Sequence, residues 1–191
     1  ALMGITKEYW PNVWRPLDMP SGHAYAKALR TLKTCVGAEW CRFGVQDSTN
    51  MGIDLERELW RMYAPHKVKL AVSGCPRNCA ESGIKDVGVI GVESGWELYV
   101  AGNGGIKTEV AQFFVKVKTR EEVLEYASAF LQLYREEGFY LERTVHFVSR
   151  VGLDYWPEVD LNVGANWEAF LEESGAPDDG MFLLSTKGGQ C

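Results

Sequence analysis

Four cysteines in two close pairs constrain this 191-residue chain more than any other feature. Cys35 and Cys41 stand in TCVGAEWC, and Cys75 and Cys79 in SGCPRNC. The spacing is C-x5-C, then 33 residues, then C-x3-C. Four thiolates satisfy a cubane iron–sulfur cluster, in which each iron takes one cysteine sulfur. If they act together, the fold must bring two distant points of the chain to one place. Cys75 and Cys79 are four apart, so a helical turn would set both on one face. Pro76 suits the first position of such a turn, where its missing N–H costs nothing. That turn would aim N–H groups and a positive dipole end at an anionic cluster. Three plainer readings stand beside this one. Structural zinc also takes four cysteines, but its usual spacings are C-x2-C to C-x4-C. Disulfides suit short secreted chains, and no segment reads as a secretory signal. Unliganded thiols are common in protein cores.

A chain of this length holds one domain with a real core, or one domain plus an appendage. A hydrophobic content of 46% fits a globular protein and argues against disorder. No apolar run approaches the roughly 20 residues that cross a bilayer. Cluster-type cysteines without an export signal point to the cytoplasm. The opening at Ala1, inside what reads as a folded segment, predicts a piece of a longer protein. The net charge of −6 is uneven. From Asp154 to Cys191 there are eight acids and one base, Lys187, or −7, which leaves +1 for the rest. Basic residues cluster near the cysteines as Arg42, Arg77, Lys67 and Lys69. No broad basic face marks a nucleic-acid partner.

Residues 21–33, rich in Ala and Leu after Pro20-Ser21-Gly22, predict a helix leading to Cys35. Ser48 or Thr49 can cap a helix over 50–63. KVKLAVS (67–73) alternates as a strand, with Lys67 and Lys69 on one face. DVGVIGVE (86–93) and WELYVA (96–101) predict two more strands joined by a tight Ser94-Gly95 turn. Residues 110–119 fit a strand or a helix end. Thr119-Arg120-Glu121-Glu122 is a capping-box pattern and predicts a helix over 120–137, ended by Gly138. A further helix is expected over 139–153. A short helix at 165–173 and a loop at 175–180 are expected within an acidic peripheral extension, 156–191. This order predicts an α+β (mixed α/β) domain, a sheet covered by helices. Cys191 has no partner at motif spacing, and the seven tryptophans read as packing residues.

TCVGAEWCRFGVQDST, VSGCPRNCAESGIKDVGVIG and LYVAGNGG together resemble the sirohaem and [4Fe-4S] domain of the nitrite and sulfite reductases. The wording is nearest to the large subunit of the NAD(P)H-dependent nitrite reductases. MPSGHAYAKALRTLKTC, EVLEYASAFLQLYREEG and ERTVHFVSRVGLDY carry the likeness over residues 2–155. The resemblance implies a remnant of a preceding ferredoxin-like half-domain over 1–34, the sirohaem/[4Fe-4S] domain over 35–155, and no family role for 156–191. It implies an oxidoreductase that reduces nitrite to ammonium with six electrons, with sulfite reduction on the same architecture as the alternative. A non-catalytic cluster or zinc module is the remaining alternative.

Site residues follow from the same resemblance. Cys35, Cys41, Cys75 and Cys79 would ligate the cluster, and Cys79 would also ligate sirohaem iron. A separate haem with His66 or His23 as axial ligand is the plainer arrangement. Gly102, Asn103, Gly104 and Gly105 with Lys107 would approach the sirohaem carboxylates, since glycines let backbone N–H groups come close. An ordinary loop is the other reading, and a dinucleotide fingerprint is absent. Arg42, Lys67 and Lys69, with Arg77, would hold an anionic substrate or the haem carboxylates, unless they form a solvated basic surface. Gln46, Asp47, Ser48 and Thr49 can hydrogen-bond the cofactors, with helix capping the plainer role for Ser48 or Thr49. Asn78 can donate near the haem or stabilise its turn. FAD and NAD(P)H belong to family segments outside this chain, so the piece alone is expected not to oxidise NAD(P)H and to hold sirohaem weakly or not at all. Expected partners are nitrite and a flavin/nicotinamide reductase domain or small subunit, with a homodimer allowed and neither nucleic acid nor membrane.

Overall fold

The computed structural model describes residues 4–17, 28–30, 32–59 and 62–154. The chain divides into two units. In the first, a 3-10 turn, Lys7–Tyr9, runs into helix α1, Trp10–Leu17. The second unit holds the four paired cysteines.

Its frame is a five-stranded sheet in the order β1 (Lys33–Thr34), β2 (Leu70–Ser73), β3 (Val87–Val92), β4 (Gly95–Val100) and β7 (Gln112–Val117). β1, β2 and β3 run parallel, while β4 and β7 add antiparallel. β3 is apolar along its length and buried through Gly91 because it lies inside the sheet. β4 alternates instead: Trp96, Leu98 and Val100 are buried, and Glu97 and Tyr99 half-buried. The register pairs Val89 with Leu98 and Val87 with Val100, so these side chains share one apolar face. Helix α3 (Ser48–Glu58) packs on β1 and β2, and α4 (Arg120–Glu137) on β4. Phe114 of β7 meets Phe130 of α4 at 6.1 Å. Helix α5 (Thr144–Val151) closes over α4, with Phe147 5.4 Å from the Tyr134 ring.

The 120–137 helix has the expected bounds, and both bonds of its capping box are present. The ambiguous stretch 110–119 is a strand over Gln112–Val117. The hairpin turn is Glu93-Ser94, one residue earlier than expected. Gly95 already pairs with Val92, at φ +134, where a Cβ would come 2.2 Å from Val117 O. Three expected helices shift. Of 21–33, the described residues are extended: Arg30 N donates to Val68 O, and Lys33–Thr34 is β1. Pairing with the edge of β2 outweighed their Ala/Leu helix preference, which is only a weak prior. The helix expected over 50–63 spans Ser48–Glu58, and that over 139–153 is confined to Thr144–Val151. Leu141, at φ +66, stands outside the helix. The readings of 156–191 lie outside the described residues.

Candidate iron–sulfur site

The site forms where β1 and β2 end side by side. Their register places Lys33 opposite Ala71 and Thr34 opposite Val72, and Cys35 N donates to Val72 O at 3.2 Å. Cys35 therefore leaves β1 at the level where Gly74 and Cys75 leave β2. Carboxyl ends of parallel strands are where open α/β sheets bind ligands. Gly74 N donates to Cys35 Sγ at 3.1 Å.

Helix α2 (Gly37–Trp40) then turns the chain toward Cys41. The following loop comes back to the same point, since Val45 N and Gln46 N both donate to Gly74 O, at 2.9 and 3.0 Å. Gln46 Nε2 donates to Val92 O at 2.9 Å and anchors the loop to β3. Close backbone approach makes Gly74 obligatory: a Cβ there would lie 2.7 Å from Gln46 O and 2.9 Å from Gly37 Cα.

The second pair does not lie on a helix. Asn78 N donates to Cys75 O and Glu81 N to Asn78 O, two successive turns rather than one helical run. Asn78 at φ +56 and Glu81 at φ +63 break helical geometry. Pro76 takes the second position of the first turn, which suits its fixed φ. The expected helix dipole is thus absent from Cys75–Cys79. Ser73 holds these turns: its Oγ accepts from Ala80 N at 3.2 Å and donates to Asn78 Oδ1 at 3.3 Å. Asn78 Oδ1 also accepts from Gly83 N, so its side chain braces the turn.

Two further links join the cysteine segments. Arg77, inside the second pair, stacks on the Phe43 ring at 3.8 Å. Glu81, two residues past Cys79, bonds Lys85 at 3.0 Å and Lys33 at 3.1 Å, and these bonds hold its carboxyl below its ordinary value. Cys75 is buried, Cys35 and Cys41 are half-buried and Cys79 is exposed, and all four are free thiols. Burial pushes the Cys35 thiol up, yet hydrogen bonds from Gly74 N–H, Ser48 and Gly37 N–H overcome it and leave it below the ordinary cysteine value. Among the described residues, no three His, Cys, Asp or Glu side chains are close enough to share one metal ion. A cubane makes a different demand, because each thiolate binds a separate iron. The donor set fits the chemistry of such a group: four free thiols, with Cys35 Sγ already accepting a backbone hydrogen bond.

The basic residues are not gathered at one place. Arg42 is exposed beside Phe43, its guanidinium 4.5 Å from the ring centre. Lys67 and Lys69 precede β2, at the end of the strand opposite Cys75, and the four residues of β2 between them and the cysteine turn span about 13 Å at 3.3 Å per residue. Lys69 Nζ donates to Gly104 O at 2.7 Å, so it joins the glycine-rich segment. Burial first, then the charges of Arg143 and Lys67, lowers the Lys69 ammonium from its ordinary value, and Asp86 opposes them. The glycine-rich segment is a small hairpin, β5 (Asn103–Gly104) with β6 (Thr108–Glu109). Gly102 N donates to Lys85 O at 2.8 Å, where a Cβ would come 2.5 Å from that oxygen. Gly105 and Lys107 are exposed in its turn, and Lys107 pairs with Glu109 at 2.6 Å. Asn103 Nδ2 donates to Lys107 O, while its buried Oδ1 has no hydrogen-bond partner. His66 Nδ1 accepts from Lys67 N, and His23 lies outside the described residues.

Asp47, not Ser48 or Thr49, caps α3: its carboxylate accepts from Asn50 N at 3.1 Å. Ser48 is instead turned to Cys35. Phe43, Ser73 and Glu81 carry no expectation from the sequence, and neither does Ser82, whose buried Oγ lies 2.9 Å from Ser73 Oγ and donates to Ala71 O. Only Phe43 had a local signal, as the aromatic two residues after Cys41.

The model of the nitrite and sulphite reductase 4Fe-4S domain family matches residues 25–159. The chain belongs to that family. It is 61% identical, over 90% of its length, to the nitrite reductase [NAD(P)H] of Bacillus subtilis (strain 168). It is 42% identical over 92% to the nitrite reductase (NADH) large subunit of Escherichia coli (strain K12). The chain spans only 24% and 21% of these two relatives. It spans 71% of the assimilatory-type sulfite reductase of Nitratidesulfovibrio vulgaris, at 33% identity over 81% of its own length. Among solved structures, the NirA protein of Mycobacterium tuberculosis aligns with TM-score 0.69 and 24% identity, covering 82% of this chain and 31% of that one. That likeness is one of fold.

Proposed function

We propose that this chain is the sirohaem- and [4Fe-4S]-binding domain of a nitrite reductase, acting in the six-electron reduction of nitrite to ammonium. The observation that carries the reading is the Gly74–Cys35 contact, which joins the two cysteine motifs at adjacent strand ends in a chain of this family. In this reading residues 35–155 are the reductase domain, 1–34 the remnant of a preceding half-domain, and 156–191 a peripheral extension.

Cys35, Cys41, Cys75 and Cys79 hold the cluster. Cys79, exposed at the end of its turn, would also hold the sirohaem iron. The bound cofactors supply electron storage and one-at-a-time delivery to nitrite; the protein supplies binding, orientation and electrostatics. Asn103, Gly104 and Gly105 would present backbone to the sirohaem carboxylates; Gly102, bonded to Lys85 O, fixes the start of the segment, and Lys107 would have to exchange Glu109 for a carboxylate of the cofactor. Lys69 pins this hairpin through Gly104 O, and Lys67 is close enough for its charge to act on the Lys69 ammonium. Asn78 keeps the Cys79 turn in shape. Arg42 is the basic group nearest in sequence to the cluster ligands and attracts the anionic substrate. A flavin/nicotinamide reductase domain or a small subunit brings the electrons, from NAD(P)H through FAD. No helix of the described residues is long and apolar enough to cross a membrane, and the proposed place of work is the cytoplasm.

The test is anaerobic purification of the full-length protein with iron analysis and an absorption spectrum. About four cluster irons per chain and a chlorin-like red band are expected. Zinc, or iron without the red band, overturns the reading. Sulfite reduction is the second reading, favoured by the long match to the assimilatory-type sulfite reductase. Turnover of nitrite and sulfite, side by side with one artificial donor, separates the two.

A further inference from the structure

We propose that the Ser48 hydroxyl is a positioning donor to the Cys35 thiolate, one that raises the reduction potential of the iron–sulfur centre. This rests on the reading of Cys35 as a cluster ligand. In a parallel ladder the bond after Cys35 N to Val72 O runs from Gly74 N to Cys35 O. Here Gly74 N is turned to Cys35 Sγ instead, at 3.1 Å. The carbonyl that it leaves is served by Ser48, whose Oγ donates to Cys35 O at 2.9 Å. The same Oγ lies 3.2 Å from Cys35 Sγ. Ser48 thus touches both acceptors of one cysteine.

A hydroxyl carries one proton. While Cys35 is a thiol, both contacts can be satisfied: S–H donates to Ser48 Oγ, and Ser48 O–H donates to the carbonyl. A cluster ligand is a thiolate and has no proton to give. The 3.2 Å contact between Oγ and Sγ then remains attractive only if Ser48 is its donor. Ser48 is 0% exposed, so water does not compete for that proton. Between a neutral carbonyl and an anion, the charge-assisted bond is about twice as strong. The proton moves by rotation about the Cβ–Oγ bond; no heavy atom shifts and no covalent bond changes. Hydrogen bonds to the sulfurs are one of the levers that set a cluster's potential. An added electron increases negative charge on the sulfurs, so a donor favours the reduced form and raises the potential. Gly74 N–H gives one such bond by backbone, and Ser48 gives a second by side chain.

The test uses the full-length protein, purified anaerobically with its cofactors, as parent, Ser48→Ala and Ser48→Thr. Potentials are read by redox titration followed by electron paramagnetic resonance, with iron content measured on each sample. Ser48→Ala is expected to lower the one-electron reduction equilibrium constant about tenfold, a downward shift of about 59 mV. Ser48→Thr keeps the hydroxyl and stays near the parent. An Ala variant with parental iron content and parental potential overturns the proposal. Should Ser48→Ala lose the centre altogether, the parent decides by double-resonance measurement before and after exchange into deuterated water. Exchangeable protons from two donors at the Cys35 sulfur support the proposal, and one donor alone overturns it. A parent without any iron–sulfur signal refutes the ligand reading and this proposal with it; an unshifted variant refutes this proposal alone.

Discussion

The guanidinium of Arg77 lies 3.8 Å from the centre of the Phe43 ring, and so ties the Cys75–Cys79 turns to the loop that follows Cys41. Arg42 covers the same ring at 4.5 Å. A planar cation on an aromatic face gains energy without dictating backbone register. It therefore suits the joining of two irregular segments that share no ladder.

Phe43→Ala removes the ring shared by both guanidinium groups. The expected loss is about 0.5–1 kcal/mol in the attraction between the two loops, since the ring is partly exposed. It should appear as severalfold faster iron release to a chelator, with Phe43→Trp close to the parent rate.

Gly74→Ala tests the close approach directly. Its Cβ would meet backbone on both sides, Gln46 O at 2.7 Å and Gly37 Cα at 2.9 Å. Backbone cannot swing aside as a side chain can, so the cysteine loops must part. Destabilisation of about 1–3 kcal/mol is expected in urea unfolding, with iron content well below parental.

Asp86 has a side chain only 1% exposed and accepts from Arg143 Nη2 at 2.9 Å, Thr144 Oγ1 at 2.5 Å and Lys69 N at 2.8 Å. Asp86→Ala leaves Arg143 without its carboxylate and should cost about 3–5 kcal/mol. The urea midpoint reads this. A loss under about 1 kcal/mol would mean that water replaces the carboxylate.

Acid should weaken the fold in part through Glu142. Its hydrogen bond with Arg150, first, and Phe139 N–H hold its carboxyl below the ordinary value of 4.5, against burial. The unfolded chain keeps the ordinary value. The contribution is therefore present above about pH 4.5 and is lost as pH falls through the lower folded value. Thermal unfolding from pH 7 to 3 should show a shallower acid limb for Glu142→Gln than for the parent.

Local signals were read well and distant ones were not. Thr119 and Glu122 announce the start of α4 because both bonds of a capping box join atoms three residues apart. The CPRNC segment misled for a related reason. Its four-residue spacing is compatible with a helix, but Ser73 and Gly83 bind the Asn78 side chain and stabilise a left-handed residue there. Ala28 and Leu29 come from a stretch of helical composition yet bridge Tyr63 and Val68, and Lys33–Thr34 pair with the edge of β2. Asp47 took the cap expected of its neighbour because Ser48 was occupied with Cys35.

Composition and spacing alone single out the atoms proposed to bind iron: four thiols, in two close pairs. They do not say how the pairs meet. That depends on the parallel register that sets Thr34 against Val72 across 38 residues, and on the backbone approach at Gly74. Register follows from which side chains the assembled sheet and α3 can bury together, a property of the packed whole. The same packing sends Lys69 to Gly104 and leaves Arg42 at the far end of β2, a division that no pattern of charges along the chain contains.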